Sequence, residues 1–127
     1  MPTKLETTLK NLHKSAAKTR WEDSFKFQCM ALKLPKALPQ FRFHPKRQWK
    51  CDFGWPDYKL LVEIDGGIWI KGGKGAHSRP ANIERDMEKS NYAQLLGYVF
   101  LRFRPVDVTS GLAVDIVQKY MDKRNLK

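Results

Sequence analysis

Three carboxylates stand where this chain could hold a metal ion. In the run L-L-V-E-I-D, Leu60 to Asp65, the side chains of an extended strand alternate between faces. Leu60, Val62 and Ile64 then share one face, and Leu61, Glu63 and Asp65 share the other. Two carboxylates two residues apart on one strand face lie roughly 7 Å from each other. Enclosing them costs free energy, because like charges repel and both lose water. A hard divalent cation removes that cost, and Mg²⁺ is held by one or two carboxylates with water and phosphate oxygens. Asp52 lies on the preceding strand segment, just before the F-G-W-P break, so two neighbouring strands could bring it beside Glu63. The competing reading is an edge strand whose acidic face is solvated. Against it stand the apolar character of the rest of the strand, the Gly-Gly turn and basic loop that follow, and the charge of the whole chain.

That charge is large. Lys and Arg number 24 against 13 Asp and Glu, a formal net charge of +11 at pH 7. Such an excess calls for an anionic partner, nucleic acid first and a membrane surface second. The membrane reading is weak: no apolar run approaches the roughly 18 to 20 residues of a spanning helix, and the N-terminus has no apolar signal-peptide core. The expected location is the cytoplasm of a bacterial or archaeal cell, a phage-encoded protein included. An apolar fraction of 42% supports a modest core and argues against disorder. A length of 127 residues suits one domain, with residues 1–18 as a helical arm that dimerises or touches DNA. Cys29 and Cys51 are expected as reduced thiols, since two cysteines cannot build a structural zinc site alone.

The elements that must position the carboxylates follow from periodicity. Leu5, Leu9 and Leu12 mark a weak helix over Lys4 to Lys18, and Phe25, Cys29 and Leu32 a second over Trp21 to Leu34, ended by Pro35. Phe41 to Trp49 reads as a basic strand or hairpin arm, Lys50 to Phe53 as a short strand, and Lys59 to Ile70 as the strongest strand. Gly66 to Pro80 is a loop holding five of the eight glycines. Asn82 is a plausible cap for a helix running to Leu96, stopped by Gly97. Val99 to Phe103 alternates as a strand. After Pro105, Ser110 could cap a last helix carrying Leu112, Ala113, Ile116, Val117, Tyr120 and Met121. The predicted class is α/β, a central mixed sheet flanked by helices in the order αβββαβ with terminal helices.

With these elements in place, the run W-K-C-D-F-G-W-P-D-Y-K-L-L-V-E-I-D-G-G-I-W, the His-bearing loop and D-M-E-K-S-N-Y-A-Q-L-L-G-Y-V-F-L-R-F resemble the PD-(D/E)XK nuclease superfamily. The likeness covers roughly Trp21 to Arg104. It is nearest to small phage and archaeal Holliday junction resolvase-like nucleases and to the very-short-patch-repair-like group. The latter typically carries a structural zinc site, which two cysteines and three scattered histidines do not supply. The resemblance implies a restriction-endonuclease-like core. It implies Mg²⁺, with Mn²⁺ substituting, held by Asp52, Glu63 and the carbonyl of Ile64, with Glu22 as an additional helical carboxylate. For Glu22, an acid favoured by the dipole of a helix start is the plain alternative.

One departure matters. Two residues after the glutamate, where the superfamily usually carries a lysine, this chain has Asp65. Lys89 is the first candidate to supply the missing charge and His77 the second, which could instead act as a general acid or base. Arg42, Lys46, Arg47, Lys50, Lys71, Lys74, Arg79 and Arg85 are the expected contacts to DNA, which position the duplex rather than read it. Trp49, Trp55 and Trp69 are candidates to stack on exposed bases, although Trp is more often a core or interface anchor. The expected activity is Mg²⁺-dependent cleavage of structured DNA, a four-way junction first, by a homodimer whose two sites cut two strands. The alternatives are a mismatch, nicking or restriction-like endonuclease of the same fold, and a non-catalytic nucleic-acid-binding protein.

Overall fold

The computed structural model describes residues 3–65 and 80–125. Helix α1 (Lys4–Ala31) opens with a capping box: Thr3 Oγ1 accepts from Glu6 N–H, and the Glu6 carboxylate accepts from Thr3 N–H. The two helices expected here are one. No Gly or Pro interrupts residues 4–31, so nothing ends the first helix before the apolar stripe of the second begins. The helix ends earlier than predicted, at Ala31, because Lys33 turns into the left-handed region at φ 56° and Leu34 N–H closes onto Cys29 O at 3.0 Å.

Strands β1 (Leu38–Arg42), β2 (Lys50–Trp55), β3 (Leu60–Ile64) and β4 (Val99–Phe103) form one sheet in the order β1-β2-β3-β4. The first two pairings are antiparallel and β3 with β4 is parallel, so the sheet is mixed as expected. The crossover that parallel pairing requires passes through α2 (Pro80–Leu95). This helix begins two residues before the expected cap, which places Asn82 inside it. Gly97, at φ 87°, is its stop. Of the strand expected over Lys59 to Ile70, Leu60–Ile64 is observed and residues 66–70 lie outside the described residues.

Helices α3 (Pro105–Thr109) and α4 (Leu112–Lys123) replace the single last helix of the sequence reading. Ser110 closes α3, and Gly111, at φ 83°, starts α4. The short α3 is fixed by Asp107, whose carboxylate accepts from Arg104 N–H and from the Arg104 guanidinium. No apolar period marks so short a helix.

The sheet separates two apolar layers. On one face Phe53, Trp55, Leu60, Val62, Ile64 and Phe103 pack with Phe25 and Cys29 of α1, Val108 of α3, and Ala113, Val114, Val117 and Met121 of α4. On the other, Cys51 and Leu61 pack with Phe43, Tyr98 and Ala93 of α2. Cys29 and Cys51 therefore sit on opposite sides of the sheet, both as free thiols.

Candidate active site

The site residues are set by a break in the regularity of β2. Cys51 packs into the layer under α2, whereas Phe53 packs into the other layer. In a regular strand residues two apart share a face. The alternation therefore slips at Asp52. Its neighbour across the ladder slips too: Pro39 pairs with Phe53 and Phe41 with Cys51, while Gln40 between them lies at φ 50°. No residue is inserted, since the register is the same on both sides of the kink. Such irregularities re-aim side chains beside functional sites.

Asp52 emerges from this kink 3% exposed, and its Oδ2 accepts the N–H of Ile64 at 2.8 Å. That bond ties β2 to the end of β3 just past the last ladder pair, Phe53 with Val62. Glu63 lies beside it on β3, and its Oε2 receives Lys89 Nζ from α2 at 2.6 Å. The two side chains are 14% and 15% exposed, which makes this a largely desolvated ion pair. Asp65 receives Nε of Arg102 at 2.7 Å, and the same guanidinium reaches Asp86 Oδ2 at 3.3 Å. Arg102 is the β4 partner of Glu63 in register. The hydrogen bond that Arg102 donates to Asp65 is the largest influence on its guanidinium and holds it charged above its ordinary range.

Cys51 lies beneath this group. Burial pushes its thiol up to about 12, and the charges of Lys89, Glu63, Asp52 and Arg102 all act on it. The structure thus brings together Asp52, Glu63, Asp65 and Lys89 of the residues picked from sequence. It adds Asp86 and Arg102, which sequence reasoning missed. A signal for Asp86 was present: it precedes Lys89 by three residues, one turn on the same helix face. For Arg102 there was none, since a single arginine on a strand reads as solvated.

Glu22 is half-buried on α1, the helix on the sheet face opposite α2. His77, Lys71, Lys74, Arg79 and Trp69 lie outside the described residues. Arg42, Lys46, Arg47, Lys50 and Arg85 are all exposed. Lys46 and Arg47 lie in a turn built by His44, whose Nδ1 accepts both of their backbone N–H groups, at 3.1 and 2.9 Å. Arg47 then lies over the Trp49 ring at 4.3 Å and pairs with Glu88 of α2. Trp49 is half-buried against Phe43, His44 and Tyr92. Trp55 corrects the stacking expectation: it is 2% exposed, with its indole N–H bonded to Pro35 O, and anchors the core instead.

A hard cation suits this cluster in donor chemistry and in charge. Asp52, Glu63, Asp65 and Asp86 face Lys89 and Arg102, a net charge of −2 that one divalent ion balances. Among the described residues, no three His, Cys, Asp or Glu side chains converge tightly enough to hold an ion by themselves. Mg²⁺ does not require that, since one or two carboxylates with water and phosphate suffice.

The sequence matches no protein-family model and no curated protein. The fold does have a counterpart. The catalytic domain of the homing endonuclease I-Bth0305I aligns with a TM-score of 0.60 over 81% of this chain and 94% of that one, at 16% identity. The chain, a four-stranded mixed sheet with flanking helices, therefore shares the fold of a homing endonuclease catalytic domain. No helix among the described residues is long and apolar enough to cross a membrane.

Proposed function

We propose that this protein is a metal-dependent endonuclease that hydrolyses phosphodiester bonds in structured DNA, with the four-way junction as its first substrate. The observation that carries this reading is buried Asp52 bonded to the Ile64 backbone, next in sequence to Glu63, with Lys89 on Glu63. The fold shared with a homing endonuclease domain and the charge of +11 support it.

Asp52, Glu63 and the Ile64 carbonyl would hold Mg²⁺ or Mn²⁺. When bound, the ion supplies positive charge that lowers the pKa of a water and polarises the scissile phosphate. Asp52 keeps its carboxylate aimed by accepting from Ile64 N–H. Lys89 donates to Glu63 and would bring the cation that the strand motif lacks. The exposed bases Arg42, Lys46, Arg47 and Lys50, with Arg85, would neutralise the phosphate backbone, so affinity should fall steeply with salt. Cutting two strands of a junction needs two sites, hence a homodimer.

The test is a panel of four-way, flapped, nicked and linear DNA of matched sequence, incubated with Mg²⁺, with Mn²⁺ and with chelator. Cleavage of the junction alone, abolished by chelator, is the expected result. Preferred cutting of linear or nicked DNA would replace the junction with another substrate, and binding of every DNA with no cutting under any metal would remove the enzymatic reading.

A further inference from the structure

Helix α2 delivers Lys89 to Glu63, yet among the described side chains little apolar packing holds that end of the helix. Ile83 and Met87 are 44% and 61% exposed, and Ala93, further along, is the one fully buried residue of α2 among those described. Polar bridges hold it instead. Lys89 reaches Glu63, and one turn earlier Asp86 is held by Arg102, which is itself held by Asp65. Lys89 and Arg102 flank the same ring, Phe100, at 5.7 and 5.8 Å from its centroid. The two bridges run side by side from β3 and β4 to one face of α2.

We propose that Arg102 is a positioning residue for Lys89, clamping Asp86 of α2 to Asp65 at the end of β3 and so fixing where Lys89 meets Glu63. The proposal rests on the nuclease reading for the consequence of that placement. A guanidinium is suited to the task, because its planar fork directs two N–H groups at two carboxylates in a fixed geometry. A lysine at the same place is a point charge and cannot bridge both in a set orientation. Asp65 then has a structural meaning: it gives Arg102 its anchor.

Arg102→Gln, Arg102→Lys, Lys89→Met and the Arg102→Gln/Lys89→Met pair test this. Single-turnover cleavage at saturating DNA, DNA affinity across a salt series, and amide hydrogen exchange along α2 are measured for each. Arg102→Gln should slow the single-turnover rate by roughly 10- to 100-fold, the scale of a misplaced catalytic group. Its DNA affinity should stay within about twofold of the parent. Little further loss should appear in the double variant, because the two residues act as one unit. Arg102→Lys should recover part of the rate at most. Amides from 86 to 92 should exchange faster in both Arg102 variants.

An unchanged rate with weaker binding and a salt slope reduced by about one phosphate would make Arg102 a DNA contact and overturn the proposal. So would fully multiplicative losses in the double variant. If the parent protein cuts no DNA, the nuclease reading fails, and exchange along α2 still decides the clamp: unaltered protection in Arg102→Gln and Arg102→Lys would overturn it.

Discussion

Lys89 Nζ lies 2.6 Å from Glu63 Oε2, with both side chains about 85% shielded from solvent. Lys89 stands on α2, 26 residues after Glu63 in sequence, so the pair joins the helix to the strand. A pair this desolvated is worth more than an exposed one, about 0 to 1 kcal/mol, and less than the 3 to 5 kcal/mol lost on breaking a fully buried one. Lys89→Met should therefore cost roughly 1 to 3 kcal/mol in chemical unfolding. It should also lower the cleavage rate by at least about 100-fold, the scale on which a preorganised charge acts. Lys89→Arg should recover stability ahead of activity. Near-parental cleavage by Lys89→Met would confine the residue to a structural role.

Asp52→Asn separates charge from architecture. The asparagine carbonyl oxygen can still accept the Ile64 N–H, so the bond that ties β2 to β3 survives. The unfolding midpoint should stay at or above that of the parent, because one negative charge beside Glu63 is removed. Cleavage and Mg²⁺ binding by calorimetry should both be lost. A variant that still cuts and still binds Mg²⁺ would take Asp52 out of the site.

The fold was legible where period and punctuation agree. The alternation of Val99–Phe103 and the apolar run of Leu60–Ile64 give two neighbouring strands, and Gly97 marks the end of α2. Asp52, Glu63, Asp65 and Lys89 of the candidate site were also within reach, from their types and their order along the chain. What stayed hidden depends on tertiary contact. The matched kink at Gln40 and Asp52 needs a left-handed non-glycine residue that no pattern announces. The His44 turn is made by a ring nitrogen accepting backbone N–H groups. Arg102 acquires meaning only when parallel pairing sets it beside Glu63 and α2 brings Asp86 across.

The two cysteines give a pH-dependent readout of the two apolar layers. Burial pushes both the Cys29 and the Cys51 thiol up to about 12, whereas in the unfolded chain each titrates near 9. The folded state therefore holds its thiol protons more tightly. Its stability is intact below pH 9 and is lost progressively as pH rises from there toward about 12. Thermal melts between pH 8 and 11 should fall more steeply for the parent than for Cys29→Ala/Cys51→Ala. At pH 8, a thiol reagent should label neither cysteine quickly in the native protein and both in denaturant. Fast native labelling of Cys51 would show that the layer beneath the site opens readily.

Gly54 links the sheet to the site most directly. It lies on β2 two residues beyond Asp52, paired with Leu38 on one side and Leu61 on the other. A methyl group there would stand 2.8 Å from Phe41 Cβ and closer still to the ring. Rotating the Phe41 ring cannot relieve that contact, since Cβ is fixed to the β1 backbone. The strands must shift where Gln40 and Asp52 already depart from regular geometry. Gly54→Ala should cost about 1 to 3 kcal/mol, the usual penalty of overpacking. If the kink aims Asp52, the same change should slow cleavage even under conditions where the variant is fully folded, and Phe41→Ala should restore part of both losses in Gly54→Ala/Phe41→Ala. A destabilised Gly54→Ala that cuts at the parental rate when folded would show that Asp52 keeps its aim through the Ile64 bond alone.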